Sequence, residues 1–503
     1  MADNKIQGEK KRTYNRTMKY LGIFGGAQVI SMFFDLLRNK FASVLLGAGG
    51  LGIVALYNRT IQMFSACTNL SLSFSAVRSL SEAFETGDDK VVRHCVKVVR
   101  SVALLTGIVG MLLFLAVSPL LSVWIFGASE YYVSRFLLLS PVLLFIAVSG
   151  GELAIMRGVR ELSKVAVCMV WTALSALLVA VPLYMWMGLG GVFPVIFLIA
   201  FMQVAGLMFC SLRLYRYSVS PFSLKILKEG RGMVKLGAGY IFASILTSCA
   251  LWLVLKAVSA FGDGAETGLF SAGYFFVSVL PGVLFSALDS DYYPRLSAIF
   301  NKTAERDALV NEHVEVHVLV QSPIILFVVT FMPLLLPLLY SADFMPAVKM
   351  AQVALLGLLC HTATYPVSFL PLSKGDTMLF VVQETIYNLT FTALIVAGYY
   401  FAGLTGAGVA LLLTRIVDLA VVYAISRFKY GFRLSGRACA YLAVNALIFL
   451  LAGLTVFVCG SVLVATVVGG LCVLLSGAYS FYYLSKNSSV LPALKRRFLK
   501  FKR

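Results

Sequence analysis

Two stretches of 48 residues, 165–212 and 438–485, contain no Asp, Glu, Lys or Arg. A helix needs about 20 apolar residues to cross the hydrocarbon core of a bilayer. Each stretch is therefore long enough for two spans joined by a tight turn, and Gly188, Gly190 and Gly191 mark that turn in the first. A chain with such segments is an integral membrane protein, which excludes a soluble enzyme, a nucleic-acid-binding protein and a disordered scaffold.

The same criterion, applied to all 503 residues, predicts fourteen spans. Composition agrees, because only 13% of the residues are charged, against about 25% in soluble domains. The predicted fold is an all-α polytopic membrane protein of 14 transmembrane helices. The spans are 20–46, 51–78, 98–120, 136–156, 165–187, 191–212, 234–258, 268–294, 314–338, 347–372, 377–400, 404–427, 438–459 and 461–484.

Basic residues fall on one side of these spans. The loops and tails on the side of the amino terminus carry 33 Lys and Arg, whereas the opposite loops carry only Arg135. Cytoplasmic loops are the ones enriched in Lys and Arg. The asymmetry predicts cytoplasmic termini, and it explains the net charge of +19 as a topology signal rather than a nucleic-acid-binding one.

The first twelve spans read as two copies of six. Pro119-Leu120-Leu121 matches Pro333-Leu334-Leu335, and Gly188-Leu189 with Gly191 matches Gly403-Leu404 with Gly406 at nearly the same offset along the chain. Six spans is an even number, so the repeats are parallel, an arrangement typical of transporters that work by alternating access. The predicted domains are an amino-terminal tail 1–19, an N-lobe 20–212, a linker 213–233, a C-lobe 234–427, two additional helices 438–484 and a basic tail 485–503.

Ionisable residues inside spans are costly and usually face a polar cavity. Those in the outer half are mostly basic, which predicts a cavity that binds an anionic head group through charge-assisted hydrogen bonds. The alternative is that Asp35 with Arg38 and Arg415 with Asp418, each pair at i,i+3, are structural ion pairs. The candidate anion-binding residues in spans are Arg38, Lys40, Arg59, Lys256 and Arg415, and the candidate coupling or gating acids are Asp35, Asp289, Asp291 and Asp418.

No sequence motif predicts catalysis, a metal or a cofactor. Gly47, Gly49 and Gly52 have the spacing of a dinucleotide fingerprint but lie between apolar helices without the strand that the fingerprint requires. His313 and His317 have the spacing of a metal site on a helix, but a solvated inner end of the ninth span is the simpler interpretation.

The chain resembles the bacterial O-antigen-type polysaccharide flippases of the multidrug/oligosaccharidyl-lipid/polysaccharide exporter (MOP) superfamily. The resemblance rests on the span pattern, on the first hairpin, residues 46–52, and on Asp291-Tyr292-Tyr293-Pro294-Arg295-Leu296-Ser297. It implies a transporter of the bacterial inner membrane that moves undecaprenyl-pyrophosphate-linked oligosaccharide to the periplasmic leaflet. It also implies that Arg38, Lys40, Lys256 and Arg295 contact the pyrophosphate or glycan, and that the two additional helices line a groove for the lipid tail.

The expected partners are the lipid-linked oligosaccharide, the bilayer, Na+ or H+ as the coupling cation, and other membrane proteins of polysaccharide assembly. The membrane potential is an alternative driving force, worth about 2.3 kcal/mol per charge at 100 mV.

Two other functions remain open. A cation- or proton-coupled drug antiporter of the same superfamily would favour an acidic or aromatic cavity and twelve spans. A membrane glycan polymerase or ligase would need a large outer loop with catalytic groups, whereas the longest predicted outer loop is about fifteen residues, 121–135.

Overall fold

A computed structural model gives the architecture of the chain. It describes the backbone of residues 2–69, 72–126, 130–221, 223, 225–226, 228–230, 238–288, 292–458 and 462–487. Within these ranges it describes every side chain except those of residues 2–25, 72–75, 126, 130–132, 238, 240, 283–288, 294, 457–458, 462 and 487. The predicted acids Asp289 and Asp291 lie outside the described residues, as does most of the predicted carboxyl-terminal tail 485–503.

The described chain is helical, with no β-strand in these ranges. Short 3-10 turns at Gly188–Gly191 and Ala342–Phe344 join two of the helix pairs. The fifteen helices are α1 Ala2–Thr68, α2 Leu72–Glu85, α3 Asp89–Phe126, α4 Glu130–Gly158, α5 Leu162–Met187, α6 Val192–Leu212, α7 Ala238–Phe261, α8 Gly264–Leu288, α9 Tyr292–Ile299, α10 Thr303–Leu339, α11 Ala347–Leu356, α12 Leu358–Lys374, α13 Thr377–Tyr430, α14 Gly436–Val458 and α15 Val462–Asn487.

The helices account for the fourteen predicted spans. Nine helical segments of the described chain are long and apolar enough to cross a membrane, and α11 with α12, bent by 44°, makes a tenth. Three of the nine, Gly26–Thr68, Leu162–Leu212 and Thr377–Tyr430, each contain two predicted spans. The remaining predicted span, 268–294, corresponds to α8. The all-α polytopic prediction is therefore confirmed.

The structure corrects the end of the second span. The apolar pattern predicts one helix over 51–78, but α1 ends at Thr68 and α2 begins at Leu72. The Asn69 amide donates to the Ser65 hydroxyl at 3.0 Å, and such side-chain bonds favour helix ends. The predicted loop 79–97 is also mostly helical, because α2 extends to Glu85 and α3 begins at Asp89.

The helical hairpins that suggested a repeat have the same backbone geometry. Gly188 has φ 53° and ψ −130°, and its equivalent in the second copy, Gly403, has φ 57° and ψ −145°. A Cβ at Gly191 would lie 2.6 Å from the carbonyl oxygen of Leu183. A Cβ at the equivalent Gly406 would collide in the same way with the carbonyl oxygen of Gly398. Only glycine adopts the positive φ of Gly188 and Gly403 without strain, and only glycine leaves room for the carbonyl oxygens beside Gly191 and Gly406. The glycine pattern therefore encodes both hairpins.

The chain divides into two compact units, Met1–Trp252 and Leu253–Arg503, called unit 1 and unit 2 below. In unit 1, Tyr57 of α1 packs against Phe136 of α4 and Phe193 of α6, with ring centroids 4.7 and 4.8 Å apart. In unit 2, the additional helices α14 and α15 pack against α10. Both units thus have interiors of apolar and aromatic side chains, and the buried polar groups described next are exceptions within them.

Candidate functional site

Unit 2 contains a cluster of polar side chains from three helices, which we call the unit 2 cluster. Arg415 and Asp418 lie on the second half of α13, Glu384 and Tyr387 on its first half, His361 on α12 and Tyr274 on α8. The hairpin at Gly403 folds the two halves of α13 back on each other, which is why Glu384 meets Arg415 although the two are far apart in sequence.

Arg415 is at the centre of the unit 2 cluster. Its Nη1 donates to Nδ1 of His361 at 3.2 Å, and Nη1 lies 3.8 Å from Oδ2 of Asp418. The guanidinium carbon also lies 5.2 Å from the centre of the Tyr387 ring, within cation–π range. Because arginine has no acceptor, Nδ1 of His361 is the acceptor, so the neutral imidazole carries its hydrogen on Nε2.

The charges of the cluster do not balance. Glu384 interacts electrostatically with both Asp418 and Arg415, so two carboxylates share one guanidinium. With both carboxylates ionised and His361 neutral, the formal charge of these groups is −1. The side chains of Arg415 and Asp418 are 16% and 12% exposed, so the site is not fully sealed. A partly buried site with one excess negative charge attracts a cation.

Three predicted basic residues lie on α1 in unit 1. Arg38 pairs with Asp35 at 3.2 Å, with side chains 29% and 44% exposed. Arg59 donates to Oε1 of Gln62 at 2.8 Å. The backbone carbonyl of Lys40 accepts a hydrogen bond from Ser43 at 2.7 Å. Arg38 and Lys40 precede the turn at Gly47, and Arg59 follows it.

The other two predicted basic residues are in unit 2. Lys256 of α7 is partly buried, and within the described part of the chain no carboxylate interacts with it. Arg295 of α9 is exposed and lines a groove of about 420 Å³ together with Glu305 and Glu312 of α10. Neither residue belongs to the unit 2 cluster.

Sequence reasoning found the Arg415–Asp418 pair but not the residues around it. Tyr274 and His361 come from other helices, so no local spacing connects them to Arg415. A partial signal exists, because His361 is one of only four histidines and lies in an apolar span.

The prediction that His317 lies at a solvated end of the ninth span was wrong. His317 is fully buried and bonds Gln321 at 2.7 Å, because α12 covers that face of α10. No group of metal-ligating side chains occurs among the described residues.

Comparison with known proteins identifies the class to which this fold belongs. An inward-facing multidrug resistance MATE family transporter of the MOP superfamily has a TM-score of 0.65 at 14% identity, covering 82% of this chain and 95% of its own. The lipid II flippase MurJ, in an inward closed conformation, has a TM-score of 0.66 at 14% identity, covering 93% and 99%. A MOP superfamily transporter from Pyrococcus furiosus has a TM-score of 0.59 at 12% identity, covering 84% and 96%. This chain therefore shares its fold with these transporters.

The sequence itself places the chain in a family. The family described as polysaccharide biosynthesis protein matches residues 19–300, which is more than half of the 503 residues. The chain therefore belongs to this family of polysaccharide biosynthesis proteins. No curated protein matches the sequence.

Proposed function

We propose that the protein is a flippase that moves undecaprenyl-pyrophosphate-linked oligosaccharide, such as O-antigen repeat units, from the cytoplasmic to the periplasmic leaflet by alternating access. Family membership supports a polysaccharide precursor as substrate. The fold supports transport, since it is shared with a lipid II flippase and a multidrug transporter. The alignment with the flippase covers 93% of this chain, against 82% for the multidrug transporter. The difference is about the length of two spans with a connection.

One observation carries the mechanism: the unbalanced charge of the unit 2 cluster. A buried pair that only stabilises the fold has no reason to keep a second carboxylate. An excess carboxylate instead gives a site for Na+ or H+, whose binding changes the electrostatic balance within unit 2. We therefore assign Glu384 and Asp418 to cation coupling. We assign Arg415 to the same site rather than to the pyrophosphate, because an anion would be repelled by the excess negative charge.

The remaining basic residues are the proposed contacts of the pyrophosphate. Arg38, Lys40, Arg59 and Lys256 lie in spans, and Arg295 lies at an exposed groove. Asp35 already neutralises part of the Arg38 charge, whereas Lys256 has no such acid among the described residues. We therefore expect Lys256 to contribute more to substrate binding than Arg38.

The test is reconstitution of the full chain with a fluorescent undecaprenyl-pyrophosphate-linked sugar. We expect Lys256→Ala to slow flipping at least tenfold, about the loss of one charge-assisted hydrogen bond, and Arg38→Ala to slow it less. Lys302→Ala is the matched control, since Lys302 is 66% exposed and pairs with Glu305. Wild-type rates in both test variants would remove these residues from the proposal.

The coupling assignment is tested with the same vesicles. Glu384→Gln keeps the size of the side chain and removes the excess charge, so we expect the stimulation by an imposed cation gradient to disappear. Glu82→Gln, at a 63% exposed position, is the control and should respond like the wild type. Equal stimulation of both variants would contradict a coupling role for Glu384.

A drug antiporter is the second candidate, because the unit 2 cluster is acidic and a multidrug transporter shares the fold. Cation-driven efflux of a cationic dye, without flipping of the lipid-linked sugar, would favour that function over ours.

A further inference from the structure

Unit 2 contains a pocket that shares no lining residue with the unit 2 cluster, and we call it the α11 pocket. Its volume is about 230 Å³, and it is lined by α10, α11 and the two additional helices α14 and α15. Each of these helices contributes a polar side chain to the lining: Thr330, Lys349, Thr455 and Thr466. Polar and charged groups at membrane depth are costly and usually serve a binding site.

The charge of the α11 pocket is positive. Lys349 is the one charged side chain that lines it, and no Asp or Glu of the described chain does so. Lys349 lies in the first turn of α11, which begins at Ala347 and has no side-chain cap among the described residues. Val348 of the same turn also lines the pocket. The start of a helix carries partial positive charge on its backbone N–H groups, so the lysine and the helix both favour an anion there.

A buried hydroxyl lies on the α10 side of the α11 pocket. Thr330 is 6% exposed, and its Oγ1 has no hydrogen-bond partner within the described part of the chain. Helix α15 comes close to it at Gly469, where a Cβ would lie 2.6 Å from that oxygen. Buried hydroxyls are nearly always hydrogen-bonded, because an unused donor away from water is costly. A pocket-lining hydroxyl without a protein partner therefore indicates a polar ligand.

Pro333 and Gln352 fix the same side of the pocket. Proline has no N–H, so Pro333 leaves the carbonyl oxygen of Val329 without its regular helical donor. Gln352 of α11 donates its side-chain amide to that oxygen at 2.9 Å. The bond holds α10 and α11 together one residue away from Thr330. The pocket is therefore a built feature of the two helices rather than a gap in their packing.

The surface around the α11 pocket is apolar. Leu334 and Leu338 of α10 and Leu463 and Val467 of α15 are neighbours of lining residues in the sequence, and all four are exposed. Leucine and lipid tails are equally apolar, so such residues of a membrane-spanning unit contact acyl chains. The pocket itself is smaller than the sites of drug-sized ligands, which occupy about 300–1,000 Å³. A small anionic group attached to hydrocarbon fits both facts, whereas an oligosaccharide does not.

We propose that the α11 pocket binds the phosphate of an anionic phospholipid of the bilayer, with Lys349 and Thr330 as donors and the acyl chains on the exposed apolar surface of α10 and α15. A zwitterionic head group fits less well, because no acid lines the pocket to pair with its ammonium group. The predicted orientation assigns this end of unit 2 to the periplasmic leaflet. The proposal goes beyond the transport function and does not depend on it.

The test is native mass spectrometry of the full chain, released from micelles that contain equal amounts of phosphatidylglycerol and phosphatidylethanolamine. We expect the wild type to retain phosphatidylglycerol in preference to phosphatidylethanolamine. Lys349→Gln removes the charge, so we expect it to bind phosphatidylglycerol at least tenfold more weakly, which corresponds to the loss of one charge-assisted hydrogen bond. Lys302→Gln is the matched control, because Lys302 is an exposed lysine at the opposite end of α10, and it should bind like the wild type.

Thr330→Val separates lipid binding from structure. Valine has nearly the shape of threonine but no hydroxyl, so we expect phosphatidylglycerol to bind about three- to tenfold more weakly. In lipid-free micelles the variant should be at least as stable as the wild type, since the hydroxyl has no protein partner to lose. Thr362→Val is the matched control. Thr362 is also buried but donates to the carbonyl oxygen of Leu359 at 2.6 Å, so this variant should lose stability and keep its affinity for the lipid.

Three results would overturn the proposal. The first is wild-type affinity for phosphatidylglycerol in both Lys349→Gln and Thr330→Val, and the second is equal retention of the two lipids by the wild type. The third comes from a titration with undecaprenyl pyrophosphate. If Lys349→Gln weakens binding of that lipid and not of phosphatidylglycerol, the pocket serves the transported substrate and not a bilayer lipid. None of these measurements requires flipping, so a failure of the proposed function would be seen separately.

Discussion

Units 1 and 2 each contain an arginine and carboxylates within the helix bundle, yet the two sites differ in how completely the guanidinium is bonded. In unit 1, Arg100 and Glu152 are 2% and 1% exposed and form two parallel bonds of 2.8 and 3.0 Å. Arg100 also donates to Ser211 at 2.9 Å, Tyr215 at 3.2 Å and Arg216 at 2.9 Å. All five guanidinium hydrogens are used.

Among the described residues, Arg415 in unit 2 makes one hydrogen bond, to His361, and has a carboxylate at 3.8 Å. Its cluster carries an excess negative charge, whereas the Arg100–Glu152 pair is neutral. Burial of a charge in a membrane protein is therefore weak evidence for function. The balance of charge and the number of unused donors separate a pair that holds helices together from a site that exchanges a cation.

Unit 2 has its own counterpart of the unit 1 pair. Arg306 is 5% exposed, contacts Asp307 at 2.7 Å and donates to the carbonyl oxygen of Tyr430 at 2.9 Å. Tyr430 is the repeat equivalent of Tyr215, which accepts from Arg100, because the same offset relates Gly403 to Gly188. Each unit therefore fixes the end of its sixth span with an arginine from its third, and the unit 2 cluster is an addition.

We expect the greatest loss of stability at Arg100. Arg100→Met leaves Glu152 buried without its partner, so we expect a loss of about 3–5 kcal/mol in the free energy of unfolding. Equilibrium unfolding in mixed micelles measures this. The double variant Arg100→Met, Glu152→Leu should recover most of the loss, and a double variant as unstable as the single one would contradict the explanation.

The hairpin glycines should behave alike in both units. Gly188→Ala and Gly403→Ala force a side chain into a glycine-only conformation, and we expect each to lose about 1–3 kcal/mol. Gly477→Ala is the control, because a Cβ there meets nothing within 4 Å and a helical alanine is favoured. A large difference between the first two variants in the same unfolding assay would argue against equivalent hairpins.

Arg415 should matter less for stability than Arg100. Arg415→Met removes one hydrogen bond and leaves Asp418 and Glu384 without the guanidinium, so we expect a loss of about 1–3 kcal/mol. The loss is smaller than at Arg100 because the cluster is less completely buried, with Arg415 16% exposed. Its effect on gradient-driven flipping should nevertheless exceed that of Arg100→Met for equal amounts of folded protein. If Arg415→Met unfolded the protein as strongly as Arg100→Met does, the unit 2 cluster would be a structural pair after all.

The weakest effect should occur at an exposed arginine. Arg78 pairs with Glu82 at 2.9 Å, but the two side chains are 69% and 63% exposed. Water screens such pairs, so Arg78→Gln should change the unfolding free energy by less than about 0.5 kcal/mol. A loss comparable to that of Arg100→Met would show that burial is not what distinguishes the two arginines.

Much of the fold follows from local patterns. The fourteen spans follow from runs of apolar residues, and the two kinked hairpins follow from Gly188 and Gly403. The helix break at Asn69 could not be predicted, because a polar residue inside an apolar run is compatible with a continuous helix until its own bonds are known. The pairs Asp35–Arg38 and Arg415–Asp418 could be predicted, because an i,i+3 spacing on a helix brings side chains to one face.

The cluster around Arg415 could not be predicted in the same way. Glu384, His361 and Tyr274 are remote from Arg415 in sequence, and nothing in their local sequence says which helices pack together. The same applies to Arg100, which reads as an ordinary residue at the edge of a span until Glu152 and Ser211 of two other helices surround it.

The amino-acid sequence alone specifies the membrane-embedded, all-helical architecture, because the free energy of placing an apolar segment in lipid depends on that segment alone. Which buried charges are neutralised and which are not is decided by the tertiary structure. Electrostatic balance depends on distances between side chains of different helices, and those distances are set by packing.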